Sequence, residues 1–173
     1  MAATFIWYED WEAGPTSVSG VSNVNWKNNA DPAATYSSYP ITAGNNSYDK
    51  WQYGRFQGTY NQILNGKWAH TAGTFGTGLT LKGAPVGSSQ LTYAQPSAST
   101  NANLSVDMTT AIAIGSGTGV YFGGTGPNTA GKAASTTDNP AFTNYLTTQL
   151  QTTSEAAAGD TASATITLQY DEN

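Results

Sequence analysis

The chain has 173 residues, of which 10% are charged and 12% aromatic, with one histidine, no cysteine and a formal net charge of -5. An average soluble domain is about one quarter charged. The shortfall excludes disulfides, removes the Cys and His sets that zinc sites need, and argues against a nucleic-acid surface, which would be basic.

A chain of this length fits one domain and buries roughly 70% of its unfolded surface without covalent staples. Its hydrophobic fraction is only 38%, so five Trp, ten Tyr and five Phe must carry much of the core. The start, Met1 to Trp11, has no basic run followed by an apolar stretch, so no signal peptide is expected. Nor does any segment reach the roughly 20 apolar residues of a membrane helix. Synthesis as a soluble cytoplasmic chain is the expectation.

Residues 1–45 are expected to form an extended N-terminal arm, punctuated by Pro15, Pro32 and Pro40 and by Gly14, Gly20 and Gly44. Disordered tails are poor in aromatic residues, yet this stretch holds Trp7, Tyr8, Trp11, Trp26, Tyr36 and Tyr39. The arm should therefore pack on its own domain or on a neighbouring subunit, and these six rings are the candidate interface residues.

Residues 46–173 are expected to form the folded domain. Arg55 to Ile63 is rich in β-formers, Asn65-Gly66 is the dipeptide of a type I′ hairpin turn, and Lys67 to His70 would be the returning strand. Leu79 to Leu81 alternates as a short strand; Gln90 to Ala94 is another candidate. Residues 104–114 fit a strand or one short helix, and periodicity does not decide between them. Phe142 to Leu150 and Ala164 to Tyr170 show period two, with Glu155 to Asp160 as the turn between them. They predict a long antiparallel hairpin closing a sheet. The fold class expected is all-β, an antiparallel sandwich of the immunoglobulin-like or jelly-roll kind.

Chemistry-bearing motifs are weak. Gly126 to Ala133 nearly spells a phosphate-binding loop, but Ala133 stands where a magnesium-holding Ser or Thr belongs. Gly115-Ser-Gly117-Thr-Gly119 lacks the following helix of a dinucleotide site. His70 needs a nucleophile and an orienting acid to act as a base; a packed histidine is the simpler expectation. Glu9, Asp10 and Glu12, with Asp171 and Glu172, sit at the chain ends, where solvation and subunit contacts are the ordinary role of carboxylates. No catalytic residue, cofactor or metal is assigned, and no enzymatic activity is expected.

Two stretches carry a resemblance. One runs from Tyr48 through Trp51, Tyr53, Arg55, Phe56, Tyr60, Asn65-Gly66 and Trp68 to Gly73; the other combines Tyr145 to Thr153 with Thr165 to Glu172. Together they resemble virion structural proteins of tailed bacteriophages, in overall style rather than in a diagnostic motif. The resemblance implies a small β-sandwich protein made in the host cytoplasm and located in the virion. A head decoration (cement) protein that stabilises the capsid is the first expectation; a neck or tail protein, or a carbohydrate-binding host-recognition module, is the alternative. The implied partners are further copies of the chain, as an oligomer such as a trimer, and the major capsid protein or other virion proteins. Neither nucleic acid nor membrane is among them.

Overall fold

The computed structural model describes residues 3–14, 16–84, 92–109, 113–114, 120–127, 129, 131, 133–159 and 163–173. The described residues are all-β, with no helix, and their strands pair antiparallel in two sheets of eight and four strands. The larger sheet runs in the order β2 (Ser17–Ser19), β1 (Ala3–Asp10), β3 (Lys50–Gly58), β11 (Leu146–Thr152), β5 (Leu79–Gly83), β6 (Val106–Asp107). Alongside β3 lies β10 (Ala141–Thr143), which also pairs β8 (Phe122–Gly123). The smaller sheet is β12 (Thr165–Glu172), β4 (Gln62–Ala72) and β7 (Ala113–Ile114), with β9 (Ala133–Ser135) also on β4.

Residues 3–10, expected within an arm, are a full strand of the larger sheet, in register with β3 from Ala3↔Gly58 to Asp10↔Trp51. Their side chains explain it. Phe5 and Trp7 face the inter-sheet core, stacked edge-on to each other at 5.1 Å between centroids. Tyr8 faces the other way, stacked on Tyr53. The irregular stretch begins only after β2 and lies on the same chain's sheet. Trp26 Nε1 donates to Thr148 Oγ1, and Tyr48 N donates to Lys27 O.

Asn65-Gly66 makes a bulge rather than a hairpin turn. Asn65 is left-handed at φ 57, and the two residues stand between the pairs Leu64↔Asp171 and Lys67↔Gln169, opposite Tyr170 alone. A glycine or asparagine in this conformation is what such a bulge requires. The extra residue shifts the phase of β4. Ile63 ahead of it and Trp68 and His70 after it are all buried, although an uninterrupted period of two would point Ile63 away from them. The chain instead turns at residues 59–61, where it leaves the larger sheet for the smaller one.

The two C-terminal alternating segments do not form a hairpin with each other. β11 pairs β3 and β5 in the larger sheet, and β12 pairs β4 in the smaller. Residues 146–150 are buried on both faces, so β11 is a central strand rather than half of a surface hairpin. The segment from Phe142 also breaks. Phe142 stands opposite Arg55 and Leu146 opposite Gln52, so three residues of this segment span two of β3. That moves Phe142 to the outer face, against Tyr53, while Leu146 joins the core. Leu79 to Leu81 is the start of β5 as expected. Residues 104–114 contain the short strands β6 and β7, residues 92–94 are not strand, and residues 90–91 and 115–119 lie outside the described set.

The core between the sheets is built from Phe56, Ile63, Trp68, Leu81, Met108, Phe122 and Leu146, all essentially inaccessible. A second cluster of Trp51, Tyr53 and Tyr145 sits on the opposite face of the larger sheet, joined by Tyr8, Tyr93 and Phe142.

Candidate functional site

Alternation along β3 sends Lys50, Gln52 and Phe56 inward and Trp51, Tyr53 and Arg55 outward. A lysine therefore enters the protein interior. Lys50 Nζ lies 3.2 Å from Glu9 Oε1, with both side chains 2% exposed. Lys50 Nζ also donates to Ala30 O at 3.0 Å, and Gln52 Nε2 donates to Glu9 Oε2. Lys27 is equally buried, and its Nζ reaches Pro32 O at 3.4 Å. Burial, reinforced by the neighbouring Lys50 charge and opposed by Glu9 and Asp31, holds the Lys27 ammonium below the usual lysine range. Lys50 ties the loop of residues 26–32 onto the sheet through Ala30 O, while Lys27 closes the loop on itself through Pro32 O.

Glu9 and Asp10 are thus not solvated terminal acids; both are buried. Asp10 accepts from Tyr145 Oη at 2.6 Å and from Ser17 Oγ at 2.6 Å. A buried carboxylate must be paired or hydrogen-bonded, and neighbouring strands supply these partners. Burial, then the bond to Asp10, pushes the Tyr145 phenol well above its ordinary range. Asp49 is buried too, accepting from Trp51 Nε1, Ser97 N and Asn101 Nδ2.

Beside this buried charge lies a cleft of about 1190 Å³. It is lined by Gln52, Leu150 and Trp68, by Ser163–Ile166 at the entry to β12, and by the loop from Val21 to Trp26. Trp7, Trp26, Tyr36 and Tyr39 all line it. Tyr36 and Tyr39 are 50% and 42% exposed, the largest ring exposures among the described residues. Among the described residues that line it, none is charged. Of the other two candidate rings, Tyr8 belongs to the outer cluster, where it accepts from Arg55 Nη1 at 3.2 Å. Trp11 is partly buried just beyond β1, and its Nε1 is enclosed without a hydrogen-bond partner.

The sequence reading missed the depth of Lys27, Lys50 and Glu9. The signal lay in the inward phase of β3, which places Lys50 and Phe56 on the same side. It also missed Gln52, Leu150 and Ile166 as cleft residues, because their exposure depends on how two sheets sit together.

His70 is packed in the interior, with Nε2 donating to Ala72 O at 2.7 Å and its ring edge-on to Phe75. Its Nδ1 is buried without a partner. The glycine-rich stretch ending at Ala133 runs into strand β9, where a phosphate loop would open a helix. Among the described residues no group of three or more His, Asp or Glu is arranged to hold a metal ion, and no helix is long and apolar enough to cross a membrane. No protein family, curated protein or solved structure matches this chain.

Proposed function

We propose that this all-β sandwich is a structural protein of a tailed-phage virion, of the head-decoration type, acting by adhesion through subunit contacts. The observation that carries the reading is the withdrawal of charge. Glu9, Asp10, Asp49, Lys27 and Lys50 are buried, so a chain already poor in charge presents a surface poorer still. Neutral hydroxyl and amide surface can be covered by a neighbour without the desolvation cost that charges carry. The cleft adds exposed rings, the residue type that anchors protein interfaces.

The test is mass spectrometry of purified particles from the phage that encodes the chain, followed by rebinding of the purified protein to stripped particles. The protein is expected in many copies per particle. Tyr36→Ala with Tyr39→Ala is expected to cut rebinding at least about tenfold with Tm unchanged, since an interface anchor is worth about 2 kcal/mol or more. Absence from the particle overturns the reading.

A second reading, a carbohydrate-binding module, is favoured by the same cleft, where Trp7, Trp26, Tyr36 and Tyr39 stand beside Asn23, Asn25 and Gln52. Ring faces stack on sugar C–H surfaces and amides pair with hydroxyls. Saturable quenching of tryptophan fluorescence by a neutral oligosaccharide would support it; its absence across a glycan panel would reject it.

A further inference from the structure

Sheet edges expose unpaired backbone donors and acceptors, and proteins keep them short, bulged or charged with lysine to prevent pairing with other chains. Three edges here obey that rule: β2 has 3 residues, β6 has 2 and β7 has 2. β12 does not. It has 8 residues, Thr165–Glu172, contains no Lys, Pro or Gly, and among the described strands pairs only with β4. Its two register shifts fall at Thr165/Ile166 and Gln169/Asp171, and in both the extra residue belongs to β4. The edge strand itself is regular, with Thr165, Gln169 and Asp171 exposed and Ile166, Leu168 and Tyr170 packed against the core.

We propose that this edge pairs with the same edge of a second copy, antiparallel about a two-fold axis at Leu168, joining the two smaller sheets into one. The sequence of β12 selects this register. It sets Leu168 against Leu168 and Ile166 against Tyr170 on the core side, and Thr167 against Gln169 and Thr165 against Asp171 on the outer side. No acid faces an acid. A parallel pairing would stack Asp171 on Asp171 and Glu172 on Glu172, and like charges directly opposite are destabilising. A one-residue slip would set Ile166 against Asp171 and turn the core side of one sheet toward solvent. Backbone hydrogen bonds supply the attraction and the Ile–Tyr and Leu–Leu pairs the specificity, as in strand addition generally.

This contact rests on the assembly reading, as one of the subunit contacts that reading requires. Sedimentation of the full chain separates the two. Wild type is expected to sediment as a dimer at micromolar concentration. Thr167→Lys with Gln169→Lys places a lysine opposite a lysine twice across the axis and is expected to raise the dimer dissociation constant about tenfold or more. Thr167→Lys with Gln169→Glu loses the same native contacts but creates two opposite-charge pairs, and is expected to restore the dimer. A wild-type monomer, a Lys/Lys variant that still dimerises, or a Lys/Glu variant that stays monomeric each overturns the proposal. Particle incorporation is scored separately. A monomer that is found in virions sinks the strand pairing alone, whereas a dimer absent from virions sinks the virion reading alone.

Discussion

Replacing Glu9 by glutamine removes the one buried carboxylate among the described residues that pairs with Lys50, while leaving the shape of the site nearly unchanged. Two ammonium groups, Lys27 and Lys50, each 1% exposed, then share a buried region in which Lys50 has lost its paired carboxylate and only Asp31 still favours the Lys27 charge. Breaking one member of a buried ion pair costs about 3–5 kcal/mol. With a urea m-value of about 2 kcal/mol/M for a domain of this size, the midpoint should fall by roughly 1.5–2.5 M. Equilibrium unfolding followed by tryptophan fluorescence measures this directly. Adding Lys50→Met removes the stranded charge and should recover much of the loss, because a hydrophobic replacement of a whole buried pair is often neutral or better. Lys50 also holds Ala30 O, so the loop of residues 26–32 should exchange its amides faster in the double variant, which lacks that donor. If Glu9→Gln leaves the midpoint within about 0.5 M of wild type, the buried pair is not what secures this loop, and the account of the site fails.

Two other outcomes follow from the packing. A methyl group added at Gly66 would lie 2.5 Å from Phe122 Cζ and 2.8 Å from Val120 Cβ, both in the closed core. Gly66→Ala should therefore cost about 1–3 kcal/mol, read as a fall in Tm of roughly 2–4 °C per kcal/mol; an unchanged Tm would mean the bulge is looser than described. Burial holds the phenols of Tyr53, Tyr60, Tyr93, Tyr145 and Tyr170 above their ordinary range. The folded state keeps these protons while the unfolded chain releases them above about pH 10, so stability falls as pH rises beyond that point. Tyrosinate absorbance should then appear in two phases, the later one coinciding with unfolding. A single early phase would contradict the burial.

The fold class was legible because period-two alternation and β-branched residues dominate the C-terminal half. The partners of the strands were not. Ala164 to Tyr170 alternates as a half-buried strand should, and β12 does pack Ile166, Leu168 and Tyr170 on the core. Yet nothing local says whether it pairs with the strand just before it or with one about a hundred residues earlier. Asn65-Gly66 misleads for a related reason. A left-handed residue serves a tight turn and a bulge equally well, and only the residues across the sheet distinguish them. The aromatic candidates of residues 7–39 divide along the same line. Trp7 and Tyr8 are neighbours whose opposite faces follow from strand geometry, but only the assembled sheets bring Trp7, Trp26, Tyr36 and Tyr39 to one cleft. Buried charge was least legible, since average behaviour places Lys and Glu outside.

The strand order also governs when the protein can fold during synthesis. In the larger sheet β3 meets β5 only through β11, and in the smaller sheet β4 gains its long partner only with β12. Both of these strands come last in the chain. While a ribosome is still making residues 146–172, the inward faces of β3, β4 and β5 have no lasting cover. Folding of the two sheets therefore waits until β11 and β12 have been made, and it proceeds through pairings of high sequence separation that form slowly. Throughout that interval Trp68, Phe56 and Leu81 remain open to mispairing with other nascent chains, and chaperone capture during synthesis should concentrate on lengths that end before Leu146.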